Sequence, residues 1–429
     1  MTAQRSTTRN PWAWIPTLYF AQGIPYVVVM TLSVIMYKNM GINNTDIALY
    51  TSWLYLPWVI KPLWSPLIEL FSTKRLWIAA LQFAVGTSLA CVALTIPGPS
   101  YFKMSLAVFW LMAFASASHD IAADGFYMLA LPEHSQAAFV GVRSTFYRLA
   151  NIGGQGGLVY LAGELQERTG SMQTAWSIVF WVLAALFVAM ALYHWLALPR
   201  PPADVHSAGH TKFRELAHGF FQVFAEFFRR PGILVVLGFL LLYRFPEAQL
   251  LKLATPFLLD TTELGGLGLT TKAVGIAYGT VGLTALTLGG LLGGWVVSRV
   301  GLKRALWPLI LLMHVPNAVF VFLAMAQPQD VAIVSTALAV EQFGYGLGFT
   351  AYLMYMILVS EGPHKTAHYA ICTGFMALGM MLPGMWSGWL QQQLGYLPFF
   401  VWVLAATIPS FAMAALIEIP AGFGMKASP

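Results

Sequence analysis

The sequence predicts an all-α integral membrane protein with twelve transmembrane helices in two halves of six and both chain ends in the cytoplasm. Three observations support this. Hydrophobic residues make up 58% of the 429-residue chain and charged residues only 9%, where soluble domains carry about 25% charge; mean hydropathy is +0.69. Apolar runs long enough for a membrane-spanning helix recur along the chain, and they are too long for barrel strands. Lipid offers backbone groups no hydrogen-bond partners, so these runs must be helical. The third observation is a loop pattern written twice. Glu69, Lys74 and Arg75 recur at an offset of 229 as Ser298, Lys303 and Arg304, the second copy reading Ser298-Arg299-Val300-Gly301 before its basic pair. Each copy follows a long apolar segment, half a chain from the other, as in a duplicated bundle.

The expected spans of the first half are 13–37, 46–69, 76–96, 104–130, 137–161 and 174–197. Those of the second half are 232–258, 272–298, 305–326, 331–359, 367–390 and 397–419. Between them, 198–231 opens with Pro199, Pro201 and Pro202 and then gathers His206, His210, Lys212, Arg214, Arg229 and Arg230. Within it, Phe213 to Phe228 has apolar residues at helical spacing, which suits a helix lying on the membrane surface. The expected organisation is therefore a bundle at 1–197, a cytoplasmic linker at 198–231 and a second bundle at 232–429. Arg5 and Arg9 precede the first apolar run, but that run is long and no small-residue cleavage site closes it. It reads as a retained helix and not as a signal peptide.

Orientation follows from the basic residues. Of the 23 Lys and Arg, 14 fall on the side of the termini, 4 on the opposite side and 5 inside spans. The termini are therefore expected in the cytoplasm. The same bias accounts for the net charge of +6, and charges confined to short loops between spans argue against nucleic-acid binding. Cys91 and Cys372 lie in apolar segments and read as packing residues. No zinc spacing, nucleophile elbow, phosphate loop or ATP-driving motif is present. The chain is read as no enzyme, with no metal or cofactor, and an ion gradient as its energy source.

Charges inside spans are costly, about 2.5–3.5 kcal/mol each on insertion scales, and they usually pair or face a water-filled cavity. In the first half these are Lys61, Asp120, Asp124, Arg143 and Arg148. Asp120 and Asp124 are one turn apart and share a helix face. Their depths are compatible with a network of Lys61, Asp120, Asp124 and Arg148. Two readings are open: a static network that ties helices together, or one in which a carboxylate exchanges its partner for a proton. In the second half, Arg244 and Glu247 are three residues apart and fit a local pair. Glu341 lies at a similar depth and fits a competitor for Arg244. Lys252 lies nearer the outer edge and is expected to snorkel.

Helix 1 contains Gln22-Gly23-Ile24-Pro25-Tyr26 and helix 7 contains Arg244-Phe245-Pro246-Glu247. Pro25 and Pro246 are 221 apart, close to the repeat offset. Breaks at matching positions of two halves point to a central site; a packing kink is the other reading. Gly153, Gly154, Gly156 and Gly157 read as a close helix contact.

The loop pattern Gly294-x-x-x-Ser298-Arg299-x-Gly301-x-Lys303-Arg304 resembles the helix 2–3 and 8–9 motif of the major facilitator superfamily. Its usual acid is present as Glu69 and replaced by Ser298; its usual glycine is Ser65 in the first copy. Within that superfamily the chain resembles the AmpG group of muropeptide permeases, which are related to acetyl-CoA transporters. The matching stretches are Lys61-Pro62-Leu63-Trp64-Ser65-Pro66-Leu67, Ser118-His119-Asp120-Ile121-Ala122-Ala123-Asp124 and Tyr147-Arg148-Leu149. Glu341 and Gly346-Leu347-Gly348 are the best match in the second half. Departures are His119, where the group suggests Gln, and the proline beside Arg244.

The resemblance implies the major facilitator fold in a bacterial inner membrane. It also implies proton-driven import of an anionic cell-wall sugar or sugar-peptide by alternating access, with the chain working as a monomer in the bilayer. Proton coupling then falls to Asp120, Asp124 and Glu341. Substrate contacts fall to Gln22, Lys61, Arg148, Arg244, Glu247, Tyr127 and Tyr345, and gating to the doubled loop motif. Tyr19, Tyr26, Trp53, Tyr243 and Tyr352 are further aromatic candidates, each also fitting a core or lipid-facing role. Export of a drug, siderophore or acyl-CoA-like compound is the alternative, and a non-transporting sensor a more distant one.

Overall fold

The structure is a computed structural model that describes residues 9–70, 72–202, 204 and 221–425. Among these residues every regular element is a helix. Ten helices are long and apolar enough to cross a membrane. In the first half they are α1 (Pro11–Asn39), α4 (Lys74–Thr95), α5 (Tyr101–Ala130) and α8 (Met172–Ala197). In the second half they are α9 (Ile233–Leu259), α10 (Thr271–Val300), α11 (Leu302–Ala326), α12 (Val331–Val359), α13 (Lys365–Leu394) and α14 (Tyr396–Leu416).

Two of the expected spans fall outside this set for local reasons. The first is helical as α2 (Asn44–Trp53) and α3 (Leu56–Leu70), interrupted by a turn at Leu54 and Tyr55. The second is helical as α6 (Glu133–Ile152) and α7 (Val159–Thr169), joined by a π-turn over Gly153–Leu158, and it carries Arg143 and Arg148. The expected surface helix Phe213–Phe228 lies partly outside the described residues; 221–228 is helical.

Several helices open on a side-chain cap that satisfies an orphan backbone N–H. Asn43 accepts from Asp46, Thr73 from Leu76, Ser171 from Thr174, Thr270 from Ala273 and Asp330 from Ala332. Leu63, Leu111, Trp181, Leu196, Leu234, Leu291, Met325 and Ile408 stand exposed on the outside. An apolar exterior of this extent belongs in lipid, which removes the hydrophobic drive for helix association and leaves packing and polar contacts to do it.

The buried side chains form clusters that largely respect the halves. Two are built from residues between Trp14 and Leu198, with Ala377 added. Two are built from residues between Phe227 and Ile419, with Ala48 added. The halves meet mainly at the end away from the termini. There Lys38 pairs with Asp260 at 2.5 Å and Lys272 with Glu164 at 2.7 Å. Asn44 donates to Gln391 at 2.8 Å and to Tyr396 at 2.9 Å, and Thr45 donates to Gln392 at 2.7 Å.

The glycine run of the first half is used in part. Gly154 lies against Val27 and Gly156 against Thr280 and Gly279 of α10, whereas nothing approaches Gly153 or Gly157. A side chain at Gly156 would sit 2.5 Å from the Thr280 hydroxyl, so glycine is what allows this close crossing between the halves.

Candidate functional site

A cavity of about 170 Å³ lies between the halves. From the first half it is lined by Tyr26, Met30, Tyr55, Asn151 and Gln155, among others. From the second it is lined by Arg244, Lys252, Tyr278, Gln342 and Tyr345 among others, and no carboxylate appears in the lining. Two helix breaks shape it. In α1 a π-turn over Val28–Leu32 follows Pro25. In α9 the helix stops at Leu242 and restarts at Phe245, with Arg244 at φ −105° and ψ 18° and Pro246 in the first turn of the new piece. Proline suits that place because the N–H it lacks would have no helical partner there. The matched prolines therefore sit beside breaks in both helices.

The cavity is basic and aromatic. Arg244 is 7% exposed. It donates to the Tyr345 hydroxyl, its guanidinium lies 4.7 Å from the Phe349 ring centroid, and its Nε has no hydrogen-bond partner. Lys252, 6% exposed, donates to Thr51 across the two halves at 2.9 Å and sits 5.6 Å from the Tyr55 ring centroid. The expectation that Lys252 snorkels is thus corrected: the crossing of α9 with α2 turns it inward. Among the described residues, neither cation has an acidic partner within ion-pair distance.

A second cavity, of about 320 Å³, is lined by Tyr19, Gln22, Asp120, Arg143, Ser144, Tyr147 and Arg148. The four-residue network expected here divides into two pairs. Lys61 lies 3.9 Å from Asp120, which also accepts from Trp58 at 3.2 Å. Asp124 pairs with Arg143 at 2.8 Å and accepts from Tyr19 at 3.1 Å. Arg143 lies over the rings of Tyr19 at 4.5 Å and Tyr127 at 4.9 Å. Arg148 instead reaches the other half and donates to the Thr287 carbonyl at 3.3 Å. The two acids stand one turn apart, so each meets a cation from a different helix. His119 belongs to a buried chain, Thr17–His194–Gln82–His119, with links of 3.0, 2.8 and 3.0 Å.

In the second half the expected Arg244–Glu247 pair does not form, and Glu341 does not meet Arg244. The break leaves Arg244 outside the helical phase, while Glu247 lies in the first helical turn and meets α11. Glu247 bonds His314 Nδ1 at 2.8 Å, and both side chains are 1% exposed. Asn317 donates to the same carboxylate oxygen at 3.4 Å. Glu341 accepts from Gln342 at 2.8 Å. Glu247 Oε2, His314 Nε2 and Glu341 Oε1 have no partner.

Of the residues expected to touch substrate, Arg244 and Tyr345 line the central cavity, and Gln22 and Arg148 the second one. Lys61, Glu247 and Tyr127 line neither; Tyr127 donates to the Gln136 carbonyl. Tyr243 and Tyr352 stack in the core at 5.2 Å and donate to backbone carbonyls, and Trp53 is exposed. Sequence reading missed Tyr55, Asn151, Gln155, Tyr278, Gln342 and His314. The amides and tyrosines gave no signal because such residues are common in helices. A polar His314 within an apolar span was the one available clue.

The loop motif sits beside the terminal end of the bundle, remote from the central cavity. The side chain of Glu69 lies outside the described residues. The backbone N–H groups of Lys74 and Arg75 donate to the Asp204 carboxylate at 2.7 and 3.1 Å. This is the favourable place for an anion at a helix N-terminus. The Arg75 guanidinium bonds the Trp195 carbonyl and lies 5.2 Å from the Trp195 ring centroid. In the second copy Ser298 bonds back to Trp295 at 2.7 Å, and Arg299 lies 5.5 Å from the Trp295 ring centroid. Gly301 has φ +78° and ψ 156°, a conformation open in practice only to glycine. The next residue, Leu302, donates to the Phe423 carbonyl at 2.8 Å. Lys303 and Arg304 are exposed.

Long apolar helices with a buried basic cavity among them suit a membrane transporter. The sequence profile of the Major Facilitator Superfamily matches residues 17–370, and the chain belongs to that superfamily. It is a multi-pass integral membrane protein. The chain is 25% identical over 403 residues to the anhydromuropeptide permease of Escherichia coli, covering 92% of this chain and 77% of that one. It is 24% identical over 411 residues to the putative transporter AmpG 4 of Rickettsia conorii, covering 92% and 93%. Two solved structures share the fold. One is the nucleoside transporter NupG, with a TM-score of 0.65, 16% identity and 95% and 98% of the chains covered. The other is a bacterial homologue of the human lysosomal transporter Spinster, inward-facing and unoccupied, with a TM-score of 0.66, 16% identity and 94% of each chain covered.

Proposed function

We propose that this protein is a secondary active transporter that imports a cell-wall-derived anionic sugar or sugar-peptide with protons across a bacterial inner membrane. The observation that carries the reading is the buried cavity between the halves, lined by Arg244, Lys252, Tyr26, Tyr55, Tyr278 and Tyr345 and by no carboxylate. Buried cations without acidic partners are costly, and an anionic substrate supplies the missing charge through charge-assisted hydrogen bonds. Tyrosine rings and hydroxyls suit the faces and edges of a sugar. The names of the relatives, an anhydromuropeptide permease and AmpG transporters, point to the same cargo.

In this reading the interrupted segments also cross, as spans 46–69 and 137–161, giving twelve spans with both termini cytoplasmic. The bundles 1–197 and 232–429 rock about the central cavity, joined by the linker 198–231. The end where Lys38 meets Asp260 and Lys272 meets Glu164 faces outward. Arg244 and Tyr345 bind substrate at the centre, and Gln22 and Arg148 on its way out. Lys61, Glu247 and Tyr127 act through the groups they hold. Asp120, Asp124 and Glu341 exchange protons, and the loop motif serves the gate. The protein works as a monomer and needs no cofactor.

The test is accumulation of labelled anhydromuropeptide in proteoliposomes. Acidifying the outside is expected to drive uptake, and Asp120→Asn and Asp124→Asn to lose proton dependence while keeping exchange. Full proton-dependent uptake by both variants overturns the coupling assignment. Extrusion instead of uptake overturns the direction and favours export of another compound.

A further inference from the structure

Resting on the proposed cargo, one residue deepens the description of the same site. Lys252 follows Arg244 by eight residues on α9, a helix rise of about 12 Å. Both cations line one cavity, and both are more than nine-tenths buried. Their contacts are with neutral groups: Tyr345 and Phe349 for Arg244, Thr51 and Tyr55 for Lys252. Two other half-buried cations near the site, Lys61 and Arg143, each have a carboxylate. Arg148 has only the Thr287 carbonyl, and it faces the second cavity. The central cavity is thus the place where two basic side chains face a lining that holds no carboxylate among the described residues.

We propose that Arg244 and Lys252 form a two-point anion site, and that Lys252 selects ligands that carry a second anionic group. Arg244, with a planar fork and a free Nε, takes one carboxylate. Lys252, a compact ammonium, takes the other and is the specificity-determining residue. A sugar acid with a single carboxylate satisfies Arg244 alone; a sugar joined to an acidic peptide satisfies both. The bond from Lys252 to Thr51 crosses the halves.

The experiment measures binding to the purified full chain in detergent. The probes are 1,6-anhydro-N-acetylmuramic acid, with one carboxylate, and its tripeptide conjugate ending in diaminopimelate, with several. Lys252→Met is expected to weaken the tripeptide probe at least tenfold, about 1.4 kcal/mol, and the single-carboxylate probe less than twofold. Lys252→Arg should restore most of the loss. Thr51→Val removes the cross-half bond and keeps the charge; it should leave both affinities within about threefold, which separates charge recognition from packing. Equal weakening of both probes, or of neither, by Lys252→Met overturns the inference and leaves the transport reading standing. Wild-type protein that binds neither probe overturns the proposed cargo, and the two-point site with it.

Discussion

The two halves repeat a fold and a loop motif, yet they treat buried charge in opposite ways. In the first half each acid meets a base: Lys61 with Asp120 and Arg143 with Asp124, on side chains that remain 16–43% exposed. In the second half acids and bases are kept apart. Arg244 and Lys252 face the cavity with neutral partners, while Glu247 turns away to His314 and Glu341 to Gln342. A loop motif written twice does not oblige the charges around it to pair in the same way. Paired, half-wet charges suit groups that change partners. Unpaired buried cations suit a binding site that waits for an anion.

That contrast can be broken by measurement. The largest effect is expected at Arg244. Arg244→Gln should reduce uptake at low substrate by about 10- to 100-fold, since hydrogen bonds to charged groups contribute about 1.5–3 kcal/mol. Near-normal uptake by this variant would mean that Arg244 does not bind the anion. Next comes stability, read as thermal unfolding in detergent. His314→Ala leaves the Glu247 carboxylate buried without its main partner and should cost about 1–3 kcal/mol. Arg143→Ala breaks a partly exposed pair and should cost about 0–1 kcal/mol. Equal costs would erase the difference between the halves.

The smallest effect concerns the contact between the halves at Glu164. Glu164 lies beyond the expected span 137–161, and hydrogen bonds from Lys272, then from Arg168, hold its carboxyl below the ordinary carboxylate value. A depressed value means that this contact stabilises above the ordinary pKa and is lost as the pH falls through the lower, folded one. Glu164→Gln should differ from wild type only slightly at neutral pH, and the difference should shrink as the pH falls below the ordinary carboxylate value. A difference that persists in acid would mean that the latch between the halves is not ionic there.

Much of the fold was legible from residues alone. Apolar runs located the membrane helices, and ten of them recur within a few residues of their expected ends. The doubled motif and the matched prolines marked the repeat and the breaks. The site was legible in type and not in pairing. Asp120 and Asp124 were read as one network because a shared helix face is visible in sequence; their separate partners on α3 and α6 are not. Lys252 was read as an edge residue because depth along a helix can be counted, whereas the side a residue faces depends on what crosses it. His314 escaped because a lone histidine in an apolar run has no periodic signal.

What the sequence determined by itself is everything that follows from the solvent. A chain with 9% charge and repeated long apolar runs has to satisfy its backbone in lipid, and helices do this within each segment. The basic loops and glycine-capped turns likewise depend on neighbours a few residues away. Only the tertiary structure decided which charges meet, because ion pairs are settled over a few ångströms between helices far apart in sequence. The turn at Tyr243 and Arg244 rotates one guanidinium into a cavity and its neighbour Glu247 out of it. A difference of three residues in sequence becomes the difference between lining a cavity and joining a buried pair.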